Sequence, residues 1–476
     1  MKASNPELTM ANSGSTPMQT TCEIYHATQP LGLLPSVQSS LYHYLHLTHR
    51  VEQELENSKT FTEQLKNKIR PLTKAHQQFS YKAQIKSYEK CDIVFSFFTN
   101  KANGIGIQSK LAEQCHQDGF KTGIINNGHP LPIPGFTANF PLPKIFVFSG
   151  SSVPLRKRRE IAEQCKYVAS HLEKFDLTSS KLKIDSALAK LAIQTEDKAN
   201  LLQYFLEVTS PKLVILVHGK ILEDIAMQIA CQNTGTLSML VPHGFPQRSI
   251  ASIDSSYVAS FGPHLDDYLQ SLSSAQSQVL PLGWIEPSVA LGEDLYNHPE
   301  IKSEDKKHNV LFLSSLSGYK IHRCSSLSER VPSILQALDS MPEIETINMR
   351  LRSDEYENLA IRELLDKFGG PKLKVSIHRS LAEDLKACDI VLSFNSTGLL
   401  YGPYLNKKAI EIRDASINSV WGNPVLPSEQ VYQIGEQFQP NDFRRFVLEA
   451  PTVPGEAVFH NWRCELPAFS KFLSEL

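Results

Sequence analysis

Apolar positions along the chain fall into two alternating rhythms. Short runs of β-branched, leucine and aromatic residues have the look of strands buried on both faces. Between them lie longer stretches whose apolar residues recur at helical steps, with Glu, Gln and Lys in the gaps. Ahead of this alternation, the spacing of Leu41, Tyr44, Leu45, Val51, Leu55, Phe61, Leu65 and Ile69 predicts helix over 41–90, broken at Pro71. Asp92-Ile-Val-Phe-Ser-Phe-Phe98 then opens a strand–helix–strand unit, with helix over 108–117, a stop at Gly119 and a strand over 122–125.

The same grammar continues. Strands are expected at 144–149, 211–217, 236–241, 257–260 and 279–284, with helices at 154–174, 184–208 and 221–232. The polar stretch 286–307 reads as a linker or an insertion beside one. A second half restarts with strands at 308–313, 344–351, 373–377, 390–394 and 408–413 and helices at 326–338, 357–368 and 381–387. Repeated β–α alternation on both sides of a polar stretch predicts the α/β class: two doubly wound parallel domains facing across a cleft. The expected division is a disordered lead over 1–40, a first domain over 41–290 with a helical start, a linker over 291–307, a second domain over 308–450, and a tail with a helix over 451–476. One internal echo supports two similar halves: Cys91-Asp-Ile-Val-Phe-Ser-Phe97 and Cys388-Asp-Ile-Val-Leu-Ser-Phe394 differ at one position.

Composition narrows the function classes. A formal charge of -2 and a pI near 6.8 make no electrostatic case for a nucleic-acid partner. Eight cysteines without a C-x-x-C pair fit reduced thiols better than a disulfide framework or a zinc site. No stretch approaches a membrane span, and residues 1–21 lack the apolar core of a secretory signal. A cytosolic protein is expected, with peripheral attachment at the inner face of the membrane left open. His43, His46 and His49 share a helical face without a completing ligand, so no metal is expected there. Gly104 and Gly106 lack the third glycine of a dinucleotide fingerprint. The Arg156-Lys-Arg-Arg159 run reads as a solvated helix face.

The candidate chemistry gathers where strands end. After the strand at 390–394 come Asn395, Ser396, Thr397 and Gly398, small polar residues opening an apolar, helix-like segment. Such a junction aims free N–H groups at one spot, where phosphate fits; equally, Ser396 or Thr397 simply caps its own helix. Ser314, Ser315, Ser317 and Gly318 end the strand at 308–313 in the same manner. Arg350 and Arg352 close the strand at 344–351, either as phosphate ligands or as surface ion pairs. In the first half, His243 follows a buried strand and precedes Gly244, which permits close approach of a substrate or of the other domain. A neutral imidazole there suits a general base; the other reading is a structural histidine bonded within its loop. His218 and His129, also at strand ends, and the carboxylates Glu223 and Asp254 are the reserves.

The order of these signals resembles the GT-B glycosyltransferases of bacterial surface polysaccharides. The likeness is to the capsule-type Kdo and sialic-acid transferases, the polysialyltransferases and the teichoic-acid glycerophosphotransferases. It is carried by Pro211-Lys-Leu-Val-Ile-Leu-Val-His218, Val241-Pro-His-Gly-Phe245, Val279-Leu-Pro-Leu-Gly283, Val310 to Ser315, Met349-Arg-Leu-Arg352, Asp389 to Gly398 and Leu405-Asn-Lys-Lys-Ala-Ile410. One departure is Arg352-Ser353-Asp354, where such families often have His-Pro. The resemblance implies two Rossmann-like domains, the first for a glycan or glycolipid acceptor and the second for a nucleotide sugar, with a CMP-linked acidic sugar favoured. It implies metal-independent, inverting transfer, in keeping with the absence of Asp-x-Asp, and no cofactor beyond the donor substrate. It extends the role of base to His243. A nucleotide-sugar epimerase and a non-catalytic scaffold subunit of a polysaccharide assembly complex are the alternatives.

Overall fold

Fully buried apolar runs can be satisfied only in the interior of a sheet covered on both faces, and the chain builds two such sheets. The computed structural model describes residues 34, 36–37, 41, 85–98, 102–126, 136, 138–141, 153–172, 184–217, 221–242, 244, 254–274, 276–297, 307–314, 325–357, 359–368, 370–376, 379–394, 396–414, 424–435 and 437–476. Most of the helix expected over 41–90 and the strand expected over 144–149 lie outside these residues.

The first sheet comprises β1 (Ile93–Phe97), β2 (Thr122–Asn126), β3 (Ala138–Pro141), β4 (Leu213–Leu216), β5 (Leu237–Leu240), β6 (Tyr257–Ala259) and β7 (Gln278–Leu280). Their spatial order is β3-β2-β1-β4-β5-β6-β7, parallel throughout. The second sheet comprises β8 (His308–Leu313), β9 (Ile344–Arg350), β10 (Leu373–Ser376), β11 (Ile390–Ser393), β12 (Lys408–Arg413) and β13 (Val431–Gln433). It is likewise parallel, in the order β10-β9-β8-β11-β12-β13. Strand order therefore reverses between β1 and β4 in one sheet and between β8 and β11 in the other. The expected α/β class, two doubly wound domains, is what the chain adopts.

The echo between residues 91–97 and 388–394 does not mark equivalent strands. The first is β1, laid down first in its sheet; the second is β11, on the far side of its reversal point. What they share is a local device. Asp92 Oδ2 accepts the Lys121 N–H at 2.9 Å, and Asp389 Oδ2 accepts the Asn309 N–H at 2.8 Å. In each case a carboxylate at a strand entrance satisfies a backbone donor where the neighbouring strand begins.

Two lysines solve the same problem at helix ends. Lys407, 6% exposed, donates to Leu385 O and Cys388 O, each at 2.6 Å, where the helix Leu381–Ala387 runs out of partners. Lys408 donates to Val447 O and Leu448 O near the end of the helix Pro440–Glu449. Cations at helix C-termini also complement the dipole.

The chain then crosses back. After Ala450 it runs along the first domain, where His460 N donates to Phe261 O at 2.9 Å and Asn461 Nδ2 to Pro281 O at 2.5 Å. The helix Glu465–Ser474 follows, and its Phe469 and Leu473 pack with Ile93, Phe95, Leu213, Ile215 and Met239. The stretch expected as a linker is also partly structured: it carries the short helices Pro287–Ala290 and Glu293–Asn297, with Leu291 and Leu295 buried. Its polarity is real, but two leucines suffice to pin it. Phe469→Ala is expected to destabilise the protein by about 3–5 kcal/mol, the usual cost of emptying a buried phenylalanine site. Denaturant unfolding of the variant measures it, and a cost near zero would mean the crossover helix is not integral to the first domain.

Candidate functional site

Parallel sheets place their ligand-binding loops beyond the carboxyl ends of the strands, above all where strand order reverses. In the second sheet that point lies between β8 and β11. Ser314 follows β8, is 5% exposed, and donates its N–H to Arg350 O at 2.9 Å. Ser393, the last residue of β11, donates its hydroxyl to Leu313 O at 2.7 Å, tying the two strand ends together. Ser396, Thr397 and Gly398 come next and are half-buried. Four of the expected site residues, Ser314, Ser396, Thr397 and Gly398, thus stand at one reversal point. Ser315, Ser317 and Asn395 lie outside the described residues.

The helix-like segment expected after Gly398 is much shorter than its apolar pattern suggests. It is a 3-10 turn, Thr397–Leu400, followed by a single α-turn, Tyr401–Tyr404, that ends at Asn406 with φ of 54°. Leu399, Leu400, Tyr401 and Tyr404 are all buried, so tertiary packing accounts for the apolar run. A turn this short has little macrodipole. Ser396 Oγ accepts the Gly398 N–H at 3.2 Å, so this serine caps its turn, as one of the two sequence readings had it.

Across from this turn stands the first domain. β5 runs into residues 241–244, and a Cβ added at Gly244 would lie 3.3 Å from Thr397 Oγ1. The carboxyl-end loop of β5 therefore meets the carboxyl-end loop of β11, and a glycine is what permits the approach. His243, the chain neighbour of Gly244, lies outside the described residues, as do His218 and His129.

The two arginines part ways. Arg350 donates to Asp384 Oδ2 at 2.6 Å and to Arg379 O at 2.8 Å. Asp384 is fully buried and also receives Ser376 Oγ at 2.7 Å and Asn348 Nδ2 at 2.9 Å. The guanidinium is thus committed to holding the helix Leu381–Ala387 against β9 and β10, which is the ion-pair reading in a buried form. Arg352 is exposed and begins the turn Ser353–Tyr356, its N–H donated to Glu355 Oε2 at 2.9 Å.

Two carboxylate systems were not anticipated. Glu411 of β12 pairs in register with Ser393. Fully buried, it accepts Arg413 Nη1 at 2.7 Å, Val425 N at 2.7 Å and Leu426 N at 3.0 Å. Burial pushes its carboxyl up, while Arg413 and the two backbone donors pull it down. The signal was available: Glu411 and Arg413 lie at i and i+2 on one face of a strand expected to be buried. On the first sheet, Ser96 at the end of β1 donates to buried Asp224 Oδ1 at 2.9 Å, and Lys198 pairs with Glu223 at 2.5 Å. Glu223 and Asp224 open the helix Leu222–Thr234 that follows β4, so these carboxylates flank the β1/β4 reversal point. Asp254 instead meets that helix through its backbone, at Gln228 and Gln232. No group of metal-ligating side chains occurs among the described residues.

Solved structures with a similar course exist. UDP-GlcNAc 2-epimerase from Neisseria meningitidis, solved with UDP-GlcNAc, is 13% identical with a TM-score of 0.47, over 81% of this chain and 98% of that one. MurG from Acinetobacter baumannii is 10% identical with a TM-score of 0.44, over 81% of this chain and 100% of that one. A glycosyltransferase from Rickettsia africae is 13% identical with a TM-score of 0.41, over 82% of this chain and 98% of that one. At such identities the likeness concerns the fold alone, and the TM-scores mark it as loose. No protein-family model and no curated protein matches the chain.

Arg350→Ala is expected to lower stability by roughly 1–3 kcal/mol by leaving part of the Asp384 carboxylate unsatisfied. The affinity of the folded variant for CMP or UDP should stay as in the wild type. Calorimetric titration beside a melting curve checks both, and a loss of affinity without loss of stability would return Arg350 to the phosphate site.

Proposed function

We propose that this chain is a metal-independent glycosyltransferase that takes a sugar from a nucleotide donor held by the second sheet. The observation that carries the reading is the meeting of Gly244 with Thr397, because it sets the loop after β5 opposite the reversal point of the other sheet. A donor at that reversal point would have its phosphates near Ser314, Ser315, Ser317, Asn395, Ser396, Thr397 and Gly398. An acceptor hydroxyl arriving from the first domain would meet His243. Proton removal there sharpens the attacking oxygen, and backbone and hydroxyl donors take up charge developing on the leaving phosphate. A CMP-linked acidic sugar is the donor class favoured.

The acceptor is proposed to be a glycan or glycolipid, reached at a membrane face. No described helix is long and apolar enough to cross a membrane, so contact would be peripheral. The helix Leu155–Leu172 offers the surface. It has no acid in its first turn, and Leu155 is 71% exposed. Leu155, Arg159, Ala162 and Lys166 recur at helical steps as a stripe without a carboxylate. Apolar and cationic side chains in one stripe suit an anionic headgroup layer. The protein is expected to sediment with phosphatidylglycerol vesicles, and Leu155→Glu with Arg159→Glu should abolish this. Equal binding to phosphatidylcholine vesicles, or none to either, would overturn the surface.

Product analysis with radiolabelled nucleotide sugars tests the activity. Label moved to an acceptor supports transfer; interconversion of the sugar makes the chain an epimerase; turnover of none leaves the scaffold reading. For the base, His243→Ala should lower kcat by roughly 10²–10⁴-fold with nucleotide Kd unchanged. A stable variant with near-normal kcat would exclude His243 and move the role to His218, His129, Glu223 or Asp254.

A further inference from the structure

The turn that carries Thr397 ends in two buried tyrosines, and each meets a buried carboxyl from another part of the chain. Tyr404 donates to Glu465 Oε1 at 3.0 Å, while Tyr296 donates to Glu465 Oε2 at 3.2 Å and Arg463 N to Oε1 at 3.1 Å. That side of the cluster is complete. The other side is not. Tyr401 and Trp284 pack with ring centroids 4.6 Å apart, and both polar tips face the carboxyl of Glu286. Yet Tyr401 OH and Trp284 Nε1 are buried without a hydrogen bond. A buried donor left unbonded is costly, and such groups in a folded protein call for an explanation.

The backbone around the cluster is also held away from its relaxed state. Among described non-glycine residues with positive φ, Asn406 (54°), Asn461 (46°) and Arg463 (62°) all adjoin it, and Ser210 is the remaining one. Strain of this kind persists only where surrounding structure enforces it, and it collects at clamps and switches. Here it borders the turn joining the second-sheet site to the crossover between domains.

We propose that Glu286 is a positioning residue for the second-sheet site: when a nucleotide fills it, the Thr397–Tyr404 segment shifts, Tyr401 O–H and Trp284 Nε1–H close their bonds onto the Glu286 carboxylate, and one proton is released. This rests on the reading that the second-sheet loop takes a nucleotide. The proton leaves the carboxyl for solvent, and no covalent bond to the ligand is made. Burial pushes the Glu286 carboxyl up to about 7, so near neutrality it is shared between acid and anion. The anion is the better acceptor of two donors, so gaining them lowers its pKa and expels the proton. The linkage is reciprocal: a bound state that holds fewer protons gains affinity as pH rises through the free protein's pKa. Tyr401 is the ionisable group facing this carboxyl; burial and the acid itself raise its pKa well above the ordinary value, so it remains a donor throughout. Tyr404, behind the Trp284 ring, is raised as well, and Glu465 keeps its own three donors.

Calorimetric titration of CMP and UDP between pH 6 and pH 8 tests this, on wild type, Glu286→Gln and Tyr401→Phe. For wild type, affinity should rise with pH, by at most about tenfold per unit for a single proton. The binding enthalpy should shift with the ionisation enthalpy of the buffer. Both variants should bind with a flat pH profile and no buffer dependence. Glu286→Gln removes a buried charge, so its melting temperature at pH 8 should not fall below wild type. A merely structural glutamate would change stability and leave the pH slope of affinity intact, and a wild-type slope in Glu286→Gln overturns the proposal. A flat wild-type profile with clear binding overturns the coupling alone. Binding of neither nucleotide at any pH removes the site reading and the coupling with it.

Discussion

The structure depends on how its polar groups are satisfied where two apolar sheets come together. Val94, Ile125 and Leu240 of the first sheet share one buried cluster with Leu311, Leu313 and Val391 of the second, and Trp284, Tyr401, Tyr404 and Phe459 fill the space between them. Trp284 stacks on Phe459 at 5.8 Å, and Trp462 Nε1 donates to Tyr404 O at 3.1 Å. These side chains come from the segment leaving the first domain, the turn after β11, and the returning C-terminal crossover. Aromatic residues with a polar tip suit such a place, because they bury large area while still making a directed bond. The approach of Gly244 to Thr397 is a consequence of this joint, since neither loop contains enough apolar area to hold the domains itself.

The strands and helices of the second half were legible because parallel strands buried on both faces read as continuous apolar runs. The bounds of β8, β12 and the helix Leu381–Ala387 match the expected residues, and Ser380 with Glu383 forms the capping box that starts that helix. What was missed lacks a local signature. β3 lies after a proline-rich stretch and buries little beyond Phe140. The docking of Phe469 on the first sheet is a contact between residues far apart in sequence, which no window of the chain displays. The run after Gly398 has helical spacing, yet Gly402 and Pro403 confine it to single turns.

The candidate site divides along the same line. Topology alone brings Ser314, Ser396, Thr397 and Gly398 together, and their small polar character at strand ends was visible. The partners of charged residues were not. Arg350 looks like a phosphate ligand until Asp384 is placed beneath it, and Lys407 and Lys408 look like surface charge until the carbonyls they cap are placed. A charged side chain in sequence says that something must compensate it, and only the fold says what. Glu411 and Arg413 are the converse case, a pair whose burial was implied by the strand that carries them.

Ser396 shows why capping and ligand binding need not compete. Its Oγ takes the Gly398 N–H and its carbonyl takes the Leu399 N–H, so the first donors of the turn are already used. A phosphate at this point would have to rely on hydroxyls and on residues arriving from the neighbouring strand end. Satisfying the turn internally also makes it rigid, and a rigid turn can be moved as one body by whatever grips its far end. Tyr401 and Tyr404 are that far end, and each faces a buried acid from another part of the chain. A site built in this manner draws its specificity from a few exposed hydroxyls and its geometry from the aromatic joint behind them.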